Sequence, residues 1–292
     1  MSSLRTHQST TTTKVLVLGD SSSGKTGALA SLAHAGYNIR VADVDNGLDV
    51  LKNLLLDPRG GYDPSAADRV EFETLTDKMR NQGNRLVPVK ATVWPRLIDL
   101  LNDWSPRTTA KWSGRAEAEK AGLQAPTTDL GPIGTWTGKD VLVIDSLSFV
   151  AAAALRFMQA MNGRLGQRPH QSDWGDAQIL TEDLLAMLYD DSVKCNVVVN
   201  CHIKYMETES GIEKGFPEAV GKALSPKIGR YFNSAVMMKT IGKSHKLLTG
   251  STGMIELKTS APMRVKPEYD IKNGLAELFA DLRGEAAAGD GK

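Results

Sequence analysis

The segment Lys14-Val-Leu-Val-Leu-Gly-Asp-Ser-Ser-Ser-Gly-Lys-Thr26 indicates the fold class of this chain. A short apolar run ends in glycine, and a Gly-x-x-x-x-Gly-Lys-Thr motif then precedes an alanine- and leucine-rich stretch that reaches about residue 35. A buried strand, a glycine-rich turn and a helix are the elements that build a phosphate-binding loop. The N–H groups of the loop and the positive end of the helix attract anions. The segment therefore predicts a nucleotide site.

The motif gives each of its residues an expected role. The phosphates should lie against a loop formed by Gly19, Asp20, Ser21, Ser22, Ser23, Gly24, Lys25, Thr26 and Gly27. The Lys25 amine should reach the β- and γ-phosphates, and the Thr26 hydroxyl should bind Mg²⁺.

A second apolar run, Val141-Leu-Val-Ile-Asp145, ends in an acid about 120 residues after the loop. A carboxylate at the end of such a strand holds Mg²⁺, usually through water. We therefore predict that Asp145 and Thr26 form the metal site. The alternative is that Asp145 only caps the helix that follows.

Apolar strands alternate with helical patterns along the rest of the chain. Strands are expected at 37–45, 69–75, 140–145, 196–201 and 235–240, helices at 48–56, 93–104, 149–161, 176–189, 222–232 and 273–282, and a hairpin at 245–258. Most of the strands are continuous apolar runs, which predicts an α/β fold with a mostly parallel sheet sandwiched by helices. The last hairpin adds a C-terminal antiparallel part.

Composition limits the possible functions. The 292 residues carry a net charge of +1, which excludes a polybasic protein but permits a local basic surface. The most apolar stretch, 141–155, is interrupted by an acid and is shorter than the ~20 residues of a membrane span. Cys195 and Cys201 are expected on one strand, ~20 Å apart, too far for a disulfide. Unpaired thiols and the lack of an apolar leader predict a cytoplasmic protein.

We expect one domain flanked by polar tails. The predicted division is a disordered tail at 1–13, a single domain at 14–283 with an irregular insertion at 105–139, and a disordered tail at 284–292. Trp112 and Trp136 in the insertion either stack on bases or anchor the insertion on the core.

The second expected strand, Arg40-Val-Ala-Asp-Val-Asp45, resembles the segment of RecA-type recombinases in which a strand ends in Asp-x-Glu. The resemblance implies that Asp45 activates the attacking water, from a side chain one methylene shorter than Glu. The alternative is that Asp43 and Asp45 are turn and cap residues. The fourth strand ends in Asn200-Cys-His202, and here the resemblance implies that His202 senses the γ-phosphate. The alternative is an ordinary histidine at the edge of the core.

Together with Pro217-Glu-Ala-Val-Gly-Lys-Ala-Leu224, these motifs resemble phage-type RecA-like P-loop ATPases, a family of phage nucleotide-binding and single-strand annealing recombinase proteins. The resemblance covers about residues 14–283. It implies a RecA-like P-loop NTPase core that uses ATP and Mg²⁺ and acts on single-stranded DNA in the host cytoplasm. A single-strand-binding protein and further copies of the chain, in a ring or filament, are the implied partners.

Glu256-Leu-Lys258-Thr-Ser-Ala-Pro262 resembles the RecA segment whose lysines reach the ATP site of a neighbouring subunit. Lys258 matches one of those lysines, and Glu256 stands where the other would be. Arg264 and Lys266 are alternative candidates, and a simply solvated lysine is the plain alternative.

The stretch after His202 is where a RecA-like DNA-binding loop would lie, at residues 203–220. Tyr205 and Phe216 could stack on bases there. Four acids and eight basic residues lie between 203 and 246, the latter being Lys204, Lys214, Lys222, Lys227, Arg230, Lys239, Lys243 and Lys246. The alternative is a solvated surface.

These observations favour an ATPase that acts on single-stranded DNA in recombination, annealing or replication. One alternative is an ATP-switched DNA-binding or loading module with negligible hydrolysis, which Asp45 and Glu256 favour. The other is a different P-loop enzyme, such as a motor or a small-molecule kinase.

Overall fold

A computed structural model describes residues 12–104, 131–208 and 211–285. The strands are β1 (Lys14–Leu18), β2 (Asn38–Asp43), β3 (Val70–Thr74), β4 (Met79–Gln82), β5 (Arg85–Pro88), β6 (Asp140–Asp145), β7 (Asn196–Cys201), β8 (Ile203–Glu207), β9 (Glu213–Pro217), β10 (Ser234–Ile241), β11 (Ser244–Leu248) and β12 (Glu268–Asp270). The helices are α1 (Lys25–His34), α2 (Asp49–Leu56), α3 (Val93–Asn102), α4 (Leu147–Met161), α5 (Gln171–Tyr189) and α6 (Gly274–Arg283). Short 3₁₀ helices lie at Pro58–Gly60, Pro64–Arg69, Ile133–Thr135 and Ser225–Tyr231.

Eight strands form one sheet in the order β12-β11-β10-β1-β7-β6-β2-β3. The six strands from β10 to β3 are parallel, and β11 and β12 continue the sheet antiparallel at one edge. This confirms the predicted α/β fold with a mostly parallel sheet between helices and a C-terminal antiparallel part. Two separate hairpins, β4–β5 and β8–β9, lie outside the central sheet.

Side chains of β1 alternate between two apolar layers because successive residues of a strand face opposite sides of the sheet. Val15 and Val17 pack in a layer with apolar residues of α1, α2 and α6. Leu16 and Leu18 pack in the other layer, with α3, α4 and α5. All four are essentially inaccessible to solvent, so the strand that leads into the glycine-rich loop is held from both faces.

The carboxyl edge of the parallel sheet carries a row of polar residues. Strand register places Thr74 beside Asp43, Asp43 beside Asp145, and Asp145 beside Asn200. Strand β7 separates β1 from β6, so the glycine-rich loop and Asp145 emerge from the same edge on strands that are not adjacent. Ligands of open α/β sheets bind at this edge.

Several local predictions were wrong. The hairpin expected at 245–258 is instead formed by β10 and β11, and the following segment touches the sheet through a single bridge between Lys258 and Ala235. The helix expected at 222–232 is a 3₁₀ helix, and the loop expected at 203–220 contains the hairpin β8–β9. The β4–β5 hairpin was not predicted.

Both cysteines are buried and unpaired, as expected. Trp136 is buried edge-to-face against Trp104, with ring centroids 5.5 Å apart, which favours the anchoring interpretation. Trp112 and most of the insertion lie outside the described residues, as do the tails apart from residues 12–13 and 284–285. The domain boundaries stay a prediction. Among the described helices, none has the length and apolar character needed to cross a membrane.

Candidate functional site

Gly19 fixes the path of the loop between its two neighbouring strands. Its N–H donates to the carbonyl of Cys201 at 3.2 Å. A Cβ at this position would lie 2.3 Å from the Ser23 Oγ and 2.8 Å from the Met238 carbonyl oxygen. Because a carbonyl oxygen cannot move aside as a side chain can, only glycine fits here.

Of the other two glycines at the start of α1, Gly24 is required by its backbone conformation, whereas Gly27 is tightly packed. Gly24 has a φ of +98° and forms the N-cap of α1 without a side-chain hydrogen bond. A Cβ on Gly27 would lie 2.9 Å from the Leu54 side chain. The first turn of a helix has N–H groups without intrahelical acceptors, so this helix end is prepared to bind an anion.

The Lys25 side chain is folded into the loop. Its buried amine donates to the carbonyls of Gly19 and Asp20, both at 2.8 Å. Burial lowers the pKa of Lys25, and the Asp145 carboxylate opposes this effect. The cation therefore lies where a phosphate against the loop would meet it.

Thr26 and Asp145 are brought together as the metal-site prediction requires. The Thr26 hydroxyl donates to Asp145 Oδ2 at 2.7 Å, between residues 119 positions apart in the chain. Asp145 is fully buried, and its Oδ1 has no hydrogen-bond partner among the described residues. Burial raises the pKa of Asp145, and the Thr26 hydrogen bond opposes the rise.

This hydroxyl and carboxylate are hard oxygen ligands of the kind that Mg²⁺ prefers. Within the described ranges, no group of three or more His, Cys, Asp or Glu side chains is arranged to hold a metal alone. The residues therefore fit a metal that takes its remaining ligands from water and from phosphate oxygens.

Asp43 and Asp45 have different environments. Asp43 accepts hydrogen bonds from the Thr74 hydroxyl at 3.1 Å and from the N–H of Gly47 at 3.3 Å, so it is the residue that holds the turn. Asp45 Oδ1 is buried without a partner in the described part of the chain. Burial, and then the charges of Asp145 and Asp43, raise the pKa of Asp45 to about 7.

His202 lies directly after β7, beside the loop. Its N–H donates to the Ser148 hydroxyl oxygen at 3.1 Å, and its carbonyl accepts from the N–H of Glu218 at 2.8 Å. The imidazole is half-buried and contacts Phe149 edge-on, with ring centroids 6.2 Å apart. Burial and the Lys25 charge lower the pKa of His202.

Lys258 does not join these residues. It is exposed and lines a cavity of about 240 Å³ together with Lys214 and Arg230. Glu256 forms an ion pair with Lys214 at 2.7 Å. Arg264 and Lys266 are the alternative candidates for a cation that reaches a neighbouring subunit, and both are held within their own chain. Arg264 donates to the carbonyls of Asp281 and Leu282, and Lys266 pairs with Glu277 at 2.7 Å.

Asn200 is a site residue that the sequence prediction missed. Its buried amide lies beside Asp145 in the strand register, and neither amide atom has a hydrogen-bond partner among the residues described. The Ser23 hydroxyl is buried and unpartnered in the same way. A cavity of about 440 Å³ opens beside Asp20 and Ser21 and is also bounded by Tyr205. The signal in the sequence was a single amide at the end of the apolar run Val197-Val-Val-Asn200.

The positive charge of the expected DNA-binding surface at residues 203–246 is partly neutralised by acids. Of its eight basic residues, Lys214, Arg230 and Lys246 form ion pairs with Glu256, Glu182 and Asp270. Tyr205 is 41% exposed on β8, whereas Phe216 on β9 is only partly exposed.

No protein-family model matches this sequence, and neither does any curated protein. Among solved structures, the crystal structure of the RadB recombinase is similar to this chain, with a TM-score of 0.44 and 14% sequence identity. The match covers 90% of this chain and 89% of that one.

Proposed function

We propose that this chain is a phage-type RecA-like protein that binds and hydrolyses ATP and acts on single-stranded DNA in recombination, annealing or replication. The observation that carries the proposal is the 2.7 Å hydrogen bond from Thr26 to Asp145 beside a glycine-rich loop. The bond joins the two residues proposed to hold Mg²⁺, and Thr26 lies in the first turn of α1, whose N-terminus would bind phosphate in this proposal.

The loop residues bind and orient the nucleotide in this proposal. N–H groups of residues 19–27 and the Lys25 amine bind the phosphates, and Lys25 exchanges its two carbonyl partners for phosphate oxygens. Thr26 and Asp145 hold Mg²⁺, which when bound neutralises phosphate charge. The unpartnered Asp145 Oδ1 and Asn200 amide are groups that bound water or phosphate can satisfy.

Asp45 positions the attacking water and accepts its proton. A pKa of about 7 suits this role, because a general base works best when its pKa is near the operating pH. His202 senses the γ-phosphate and passes the change to the β8–β9 hairpin through its own backbone, which pairs with Glu218.

Assembly and partners belong to the same proposal. Lys258 lines a cavity that none of residues 19–27 borders, and in this proposal it contributes to the site of a neighbouring copy in a ring or filament. In this proposal the chain works beside a single-strand-binding protein, in the host cytoplasm.

Steady-state ATP hydrolysis with and without single-stranded DNA tests the proposal. We expect stimulation by DNA in the natural chain, and loss of nucleotide binding and hydrolysis in Lys25→Ala. Lys52→Ala, at an exposed lysine of α2, is the matched control and should behave as the natural chain does. Normal nucleotide affinity in Lys25→Ala would overturn the P-loop assignment.

A second candidate is an ATP-switched DNA-binding module with negligible hydrolysis. The shorter reach of Asp45 and the involvement of Glu256 in a pair within its own chain favour it. Single-turnover hydrolysis above the rate without protein would reject this candidate. A different P-loop motor would instead unwind duplex DNA, which a strand-displacement assay detects.

A further inference from the structure

The β4–β5 hairpin carries a cluster of unpaired cations outside the surface considered so far. Four basic residues on or beside it are exposed and form no ion pair within the described ranges, namely Lys78, Arg80, Arg85 and Lys90. The one acid between residues 76 and 92 is Asp77. Its carboxylate accepts from the N–H groups of Thr92 and Val93 at the start of α3, and it lies 3.7 Å from Arg156.

Neighbouring acids on β3 do not offset this charge. Glu71 pairs with Arg40 at 3.5 Å, and Glu73 pairs with Arg96 at 2.6 Å. The hairpin therefore presents a net positive surface to solvent.

The two faces of the hairpin differ. Arg80 lies opposite Val87, and Gln82 opposite Arg85, so both arginines share one face. Val87 is buried, and a Cβ on Gly166 would lie 2.9 Å from it, so this face borders the loop at 162–170.

Charge and apolar surface continue around the hairpin. Arg168 in the bordering loop is exposed, whereas Arg164 is held by Asp173. On the opposite face, Met79 and Leu86 are 47% and 68% exposed. The exposed cations suit a polyanion, and the exposed apolar side chains on the other face suit unstacked bases of a single strand that passes around the edge of the hairpin.

The position of the hairpin fits the same ligand. It follows β3 at the carboxyl edge of the sheet, and β8–β9 follows β7 at that edge. Three strand spacings separate β7 from β3, about 14 Å. A short single strand can span that distance.

We propose that the β4–β5 hairpin is a second DNA-binding element, in which Arg80 and Arg85 contact the phosphate backbone of single-stranded DNA. The inference rests on the proposed function, because that function supplies the nucleic acid. It adds a surface that lies outside the 203–246 region.

The test compares Arg80→Gln/Arg85→Gln with Lys139→Gln/Lys194→Gln in fluorescence-anisotropy titrations with a labelled single-stranded oligonucleotide. The control pair removes the same charge from exposed lysines at the opposite, amino edge of the sheet. Each lost contact lowers the slope of log affinity against log salt by roughly 0.7. For Arg80→Gln/Arg85→Gln, the slope of log affinity against log salt should therefore fall by about 1.4. This variant should bind about 25-fold more weakly than the natural chain at about 0.1 M salt.

A third variant, Arg80→Lys/Arg85→Lys, keeps both charges and should keep the slope of the natural chain. Circular dichroism melting verifies that each variant folds.

If the natural chain does not bind single-stranded DNA, the proposed function fails and this inference with it. If it binds but the arginine and control variants bind equally, the inference alone is overturned. Equal weakening of binding to a duplex of the same length, or to polyglutamate, would overturn the single-strand assignment.

Discussion

Substituting Asp45 by Asn should stabilise the chain at high pH, although the residue is part of the proposed site. Burial and the charges of Asp145 and Asp43 raise the pKa of Asp45 from its ordinary value of 3.8 to about 7. The folded state therefore favours the protonated acid. The contribution of Asp45 to stability is therefore greatest below about pH 4 and declines as the pH rises through about 7, because ionisation is easier in the unfolded chain.

The magnitude follows from the pKa change. A rise from 3.8 to about 7 corresponds to about 4 kcal/mol of destabilisation of the ionised form, at 1.36 kcal/mol per pH unit. Asp45 is only partly buried, so solvent screening reduces this figure and we expect about 1–2 kcal/mol. Asp45→Asn removes the charge and should gain that amount at pH 8, with almost no gain at pH 4.

Urea denaturation at the two pH values measures the effect. Asp68→Asn, at an exposed acid in the 3₁₀ helix before β3, is the control and should not show it. Asp45→Asn should also bind ATP but not hydrolyse it. An equal change in the free energy of unfolding at pH 4 and pH 8, or a loss at pH 8, would refute the electrostatic argument.

Three further predictions concern the loop and the core. Thr26→Val removes the 2.7 Å hydrogen bond to the buried Asp145 carboxylate. It should cost about 1–3 kcal/mol in urea denaturation, more at pH 8 than at pH 5, and abolish the Mg²⁺ dependence of nucleotide binding; unchanged Mg²⁺ dependence would contradict the proposed metal site. Gly19→Ala should destabilise by about 1–3 kcal/mol, whereas Gly138→Ala, where no atom lies within 4 Å of the new Cβ, should be neutral in the same assay. Burial raises the pKa of the thiols of Cys195 and Cys201 to about 12, so both should resist a thiol reagent at pH 8 until denaturant is added; rapid labelling of the folded chain would show that the core opens.

Elements with a strong local pattern could be predicted from the sequence. The apolar runs of β1, β6 and β7 lie within one residue of their expected bounds, because a strand buried on both faces has a continuous apolar sequence. Lys25 and Thr26 follow β1 after the glycine-rich loop, Asp145 ends β6 and His202 follows β7, so all of these residues lie at the carboxyl edge of the sheet. A parallel sheet brings the carboxyl ends of its strands together, so the gathering follows from the fold class.

Features that depend on distant contacts could not be predicted. The order of the strands separates β1 from β6 by β7, and no local pattern encodes that order. The β4–β5 hairpin has few apolar residues and a turn at Gly83-Asn84, so it was missed. The different roles of Asp43 and Asp45 depend on Thr74, which lies on the adjacent strand. The cis peptide bond between Asp145 and Ser146 also has no sequence signal.

The place of β1 in the sheet has a consequence for synthesis of the chain. Both neighbours of this strand come late: Leu18 pairs with Cys201 on one side and with Met237 on the other. At roughly 5–20 residues per second, a ribosome needs about 10–40 s to make the first of these partners after the strand itself. During that interval an apolar segment has no strand to pair with. The first strand therefore stays without a pairing partner until β7 has been made, and the glycine-rich loop can take its place at the edge of the sheet only after that.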